Sequence, residues 1–84
     1  MENEFKTYLS DQNLSKNTIT SYLYAIRQFE AKYDKLSKQN LRDYKVYLIE
    51  HYKPQTVNLR IRAINCYLES IKKEQWKLPS VKVQ

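Results

Sequence analysis

Residues 15–33 read SKNTITSYLYAIRQFEAKY, and their apolar members Ile19, Tyr22, Leu23, Ile26, Phe29 and Tyr33 recur every three or four positions. That spacing gathers six side chains on one face of a helix for four turns, whereas a strand, with its period of two, would scatter them over both faces. Ser15 stands just before the first turn, where its hydroxyl can accept a bond from an N–H that the helix leaves unpaired. The segment therefore reads as a long amphipathic helix, and the sequence on either side keeps its period.

Upstream, a first helix is expected from Glu2 to about Gln12, with Phe5, Tyr8 and Leu9 as its apolar stripe and the acids Glu2 and Glu4 at its positive end. Downstream, Asp34 and Lys35 interrupt the pattern. Ser37 then caps a third helix to about Tyr52, with Leu41, Tyr44, Leu48 and Tyr52 inward. Pro54 suits the first position of a fourth helix, where its missing N–H costs nothing. That helix is expected to reach about Lys73, with Val57, Ile61, Ile64, Leu68 and Ile71 as its buried seam. From Glu74 the period stops, and the last residues read as an extended tail that Trp76 packs against the rest. Short links make successive helices neighbours, so the expected fold is all-α: a compact four-helix bundle of two helical hairpins. Residues 1–75 are expected to form the domain and residues 76–84 the start of a linker.

Composition limits what such a bundle can do. With 84 residues there is room for one small domain that buries about 60–65% of its unfolded surface, which leaves no spare side chains for a deep substrate cavity. Glycine is absent, which excludes the Gly-rich loops that cradle phosphates in nucleotide sites. The single Cys66 and single His51 exclude an internal disulfide, a cysteine-based zinc cage and His-His metal spacings. No cofactor or metal is expected. No apolar run approaches 18 residues and no signal peptide is visible, so the chain is expected to act in the cytoplasm, away from membranes.

Charge points to the partner. Fifteen Lys and Arg against nine Asp and Glu give +6 and a pI near 9.5, the balance of a domain drawn to polyanions. The net charge rises from −2 over residues 1–14 to +5 over residues 53–84. On a helical wheel Gln55, Asn58, Arg62 and Asn65 fall within roughly 80° of one another, clear of the apolar seam. Gln and Asn can pair with adenine edges and Arg with guanine in the major groove, although an ordinary solvated face is the alternative reading. Lys16, Asn17, Thr20, Tyr24 and Arg27 lie opposite the apolar stripe of the second helix, where hydroxyls, amides and first-turn N–H groups suit phosphate. Ser15, Asn17 and Thr18 equally suit helix capping. Most tyrosines fall on core stripes, His51 reads as a cap of a helix end, and Cys66 as a small, partly buried hydrophobe.

In order and spacing these stretches resemble the SAM-like core-binding domain that precedes the catalytic domain of tyrosine recombinases, the phage-type integrases. The likeness rests on Ser15, Thr18, Ile19 and Tyr22 followed by Ile26 and Phe29, on residues 56–68, TVNLRIRAINCYL, and on Leu78, Pro79 and Lys82 after them. It implies double-stranded DNA binding in integration and recombination, the domain forming one half of a C-shaped clamp. Lys16, Asn17, Thr18 and Thr20 of the second helix and Thr56, Asn58, Arg60 and Arg62 of the fourth would then face DNA. Arg27, Gln55 and Asn65 join them from the wheel. Arg60 lies on the flank of the apolar seam, and Leu59 and Asn65 stand where the family commonly has basic residues.

The resemblance also implies that strand cleavage belongs to a catalytic domain of the same parent chain. This chain is thus expected to be no enzyme itself, and to oligomerise on DNA only within the full-length protein. The alternative is a helical protein–protein interaction module without DNA binding, for which Leu59, Tyr47 and Trp76 are the apolar candidates. A small helix-turn-helix regulator is disfavoured, because the links lack its short Gly-containing turn.

Overall fold

The computed structural model describes residues 2–83. It contains four helices, α1 (Glu2–Asp11), α2 (Lys16–Lys32), α3 (Lys38–His51) and α4 (Pro54–Ser70), then a single 3₁₀ turn at Glu74–Trp76 and an extended tail. Ser15 and Ser37 cap α2 and α3 as their sequence positions predict, each hydroxyl accepting from the N–H three residues on. Pro54 opens α4 behind Lys53, which makes no side-chain cap bond.

With no glycine to adopt positive φ, the left-handed residues that end helices are Asn13 (φ 60°) and Lys72 (φ 61°). Lys72 closes α4 in a Schellman arrangement: its N–H donates to Glu69 O at 3.2 Å and the Lys73 N–H to Leu68 O at 2.8 Å. The helix therefore stops at Ser70, short of the expected Lys73, and Ile71 is 37% exposed instead of joining the seam. Tyr67, only 5% exposed, fills the core in its place and meets Phe5 edge-on at 5.2 Å. The turn at Glu74–Trp76 likewise replaces the extended start expected for the tail.

The two hairpins α1–α2 and α3–α4 join mainly through α2 packed on α4, with α1 touching both. Leu9, Leu41, Tyr44, Leu48 and Leu68 are fully shielded at the centre of a molecule measuring 32 × 28 × 23 Å. No strand occurs among the described residues.

Tyr44 carries the only hydroxyl in that fully shielded set. It donates to Gln28 Oε1 at 2.7 Å, with Ala25 O at 3.4 Å. Gln28 Oε1 also accepts from Arg60, and Gln28 Nε2 donates to the Tyr52 hydroxyl at 3.0 Å. Gln28 thus ties three helices at one point. Burial pushes the Tyr44 phenol up to about 12, because the core disfavours the phenolate. The unfolded phenol ionises near its ordinary value of 10, so this contribution to stability is complete below pH 10 and fades as pH rises from 10 toward 12. Urea midpoints from pH 8 to 11.5 should fall above pH 10, and Tyr44→Phe should flatten that fall. An unchanged slope in the Phe variant would refute the assignment.

Candidate nucleic-acid interface

Packing α1 against α2 builds a shallow groove of about 410 Å³ between them, lined by Lys6, Ser10, Lys16, Ile19, Thr20, Leu23 and Arg27. Its polar lining is cationic or hydroxyl-bearing, with no acid. Lys16, Thr20 and Arg27, separated by four and seven residues, share one side of α2. Lys6 comes from α1, and nothing in the periodicity of either helix identifies it, because only the packing of the pair places it beside Lys16.

Arg27 is not free in this groove. Its Nε and Nη2 donate to Glu2 Oε1 at 2.9 and 2.5 Å, pinning the start of α1 to α2 and holding the Glu2 carboxyl below its usual range. At the α2 start, the Ser15 hydroxyl accepts from Thr18 N–H at 3.2 Å and donates to Thr18 Oγ1 at 3.0 Å, so Thr18 is part of the cap. Lys16 and Asn17 beside it are exposed, and no acid occupies the first turn.

On the opposite flank of Thr20 a second groove runs between α2 and α4, lined by Thr20, Ser21, Tyr24, Leu59 and Arg60. Arg60 is held in place here: its guanidinium lies 4.7 Å from the Tyr24 ring centroid and 4.8 Å from that of Tyr52, and it donates to Gln28. The same guanidinium and the Gln28 amide lower the Tyr52 phenol, the Gln28 bond contributing most. Gln55 and Arg62 lie four residues before and three after Leu59 on α4, and both are exposed. Thr56 is half-buried.

Asn58 and Asn65 behave differently from the rest of the α4 polar face. Asn65 Nδ2 donates to Leu78 O at 2.9 Å while Leu78 N–H donates to Asn65 Oδ1 at 2.8 Å. Asn58 repeats the arrangement with Val81, at 2.9 and 2.7 Å. Seven residues of helix rise about 10.5 Å, and three residues of extended chain span about 10 Å, so two amides two turns apart match two backbone units three residues apart. The tail runs antiparallel to α4 and is fixed further by buried Leu78 and by Lys45 Nζ donating to Pro79 O at 2.7 Å. The amides read from the wheel as base contacts thus hold the tail.

His51 stacks on Tyr47 at 4.3 Å with Nδ1 2.9 Å from Tyr47 O in the last turn of α3, the capping position its sequence suggests. Cys66 is half-buried, and burial raises its thiol, so the chain offers no activated thiolate there. Leu59, Tyr47 and Trp76 do not make one patch: Leu59 lines the α2–α4 groove, Tyr47 lies under Lys32 Nζ and Trp76 under Lys73 Nζ.

The fold and its grooves define a small all-α domain with a cationic groove beside α2 and a tail strapped along α4. The family described as phage integrase, N-terminal SAM-like domain, matches residues 2–78, and the chain belongs to it. No curated protein and no solved structure matches the chain significantly. No helix among the described residues is long and apolar enough to cross a membrane.

Proposed function

We propose that this domain binds double-stranded DNA as the core-binding part of a site-specific tyrosine recombinase, acting in integration and recombination alongside a catalytic domain of the same parent chain. The observation that carries the reading is the groove where Lys6, Lys16 and Thr20 converge, its neighbouring acid, Glu2, taken up by Arg27, in a chain of the integrase N-terminal family at +6. Lysine ammoniums and a threonine hydroxyl at the start of a helix suit the phosphates of a duplex, which fix register and orientation. Asn17 extends this surface, and Gln55 and Arg62, exposed on the α4 ridge beyond Leu59, supply the donors and acceptors that read base edges. Arg27, Thr18 and Arg60 support the surface from within through Glu2, Ser15 and Gln28. Strand cleavage and assembly into an oligomer on DNA belong to the full-length recombinase, in the cytoplasm where its substrate lies.

Fluorescence anisotropy with a 20-base-pair duplex, titrated from low to physiological salt, tests this. Dissociation constants of about 10⁻⁴–10⁻⁶ M at physiological salt are expected, with log K falling by about 0.9 per neutralised phosphate against log salt. Binding that is indifferent to salt would falsify the proposal.

A further inference from the structure

Away from the α1–α2–α4 grooves, α3 and the tail enclose a third groove of about 460 Å³ that shares no lining residue with them. Its floor is hydrocarbon: Val46 and Ile49, 54% and 51% exposed on α3, face Trp76 and Pro79. Exposed β-branched residues on the outer face of a small helix are not required by the fold, and clustered beside an aromatic ring they mark an interaction surface. The rim is positive, with Lys38, Arg42, Lys45 and Lys77 and no acid. Lys45 and Lys77 are engaged with Pro79 O and Glu69, whereas the side chains of Lys38 and Arg42 make no hydrogen bond or ion pair among the described residues. Lys38, Arg42, Val46 and Ile49 follow one another at intervals of three or four residues, a continuous stripe about 16 Å long on α3.

We propose that this groove docks an acidic amphipathic helix of a partner protein, whose apolar face covers Val46, Ile49 and Trp76 and whose carboxylates meet Lys38 and Arg42. Charge complementarity selects this occupant: a cationic rim over an apolar floor matches a helix bearing acids beside an apolar stripe. A duplex presents phosphates and sugars and would leave the floor uncovered. Because this groove shares no lining residue with the two grooves beside α2, the partner and the proposed DNA can be held together, so docking does not depend on DNA binding.

The test uses the 84-residue chain and a labelled 16-residue peptide with Leu at helical spacing flanked by Glu, against a scrambled peptide of the same composition. The helical peptide should shift the amide resonances of Val46, Ile49 and Trp76 and bind at least about tenfold more tightly than the scramble, as expected when a central apolar contact is lost. Ile49→Glu and Arg42→Glu, both at exposed positions, should each remove that advantage while leaving duplex binding unchanged. Equal binding of the two peptides, shifts confined to α2 and α4, or no binding at all would overturn the proposal. So would a duplex that perturbs Val46 and Ile49 and displaces the peptide, which would assign the groove to nucleic acid.

Discussion

Asn58→Ala and Asn65→Ala together will lower the unfolding free energy by about 2–6 kcal/mol and release residues 77–83 from the bundle. Each asparagine exchanges two hydrogen bonds with a tail backbone unit, at 2.7–2.9 Å, and a net contribution of about 0.5–1.5 kcal/mol per bond sets the scale. The tail can swing into water once freed, so its N–H and C=O groups are resolvated and the full desolvation penalty does not apply. Leu78 is 92% shielded because the tail is docked; exposing it forfeits about 1.5–3 kcal/mol of apolar burial, which the backbone entropy regained by the freed tail, about 1–2 kcal/mol per residue, offsets. Chemical denaturation gives the total, and amide exchange of Leu78 and Val81 locates it. Asn65→Asp offers a sharper contrast, because it keeps the acceptor for Leu78 N–H while placing a carboxylate against Leu78 O. A double variant with an unchanged midpoint and still-protected Leu78 and Val81 amides would sink the idea.

The same residues show where sequence reasoning reaches its limit. Ser15, Ser37 and Pro54 are local signals whose partners lie within one turn, so the helix starts were readable. Stop signals were weaker because the usual one, glycine, is missing: Lys72 takes the left-handed position at a steric cost of about 1–2 kcal/mol, which no propensity would suggest. Asn58 and Asn65 lie on a polar stripe by any helical wheel, and the wheel cannot distinguish an amide facing solvent from one facing a backbone that returns along the helix. Their spacing of seven against the three of Leu78 and Val81 was present in the sequence, but it acquires meaning only once the chain turns at Glu74–Trp76. Arg60 was better signposted, since its place on the flank of the seam anticipates its position between Tyr24 and Tyr52. Lys6 had no signal at all.

Those placements separate the proposed DNA contacts into residues that should act on DNA and residues that should act through the fold. Lys6→Glu with Lys16→Glu removes two cations from the α1–α2 groove, and at 0.1 M salt each lost phosphate contact weakens binding by about eightfold relative to 1 M. The double variant should therefore bind a duplex about 10–100 times more weakly, with the slope of log K against log salt reduced by about 1.8. Both side chains are exposed, so the urea midpoint should not move by more than about 0.5 kcal/mol equivalent. Arg62→Ala should lower affinity by about 1–3 kcal/mol while relaxing the preference between duplex sequences, the signature of a lost base contact. Arg60→Ala should do the reverse, destabilising the bundle through Gln28, Tyr24 and Tyr52 with DNA affinity lost only in proportion to unfolding. If the lysine pair leaves both affinity and salt slope intact while Arg60→Ala abolishes binding at full stability, the duplex lies along the α2–α4 groove and the cationic groove beside α1 has another role.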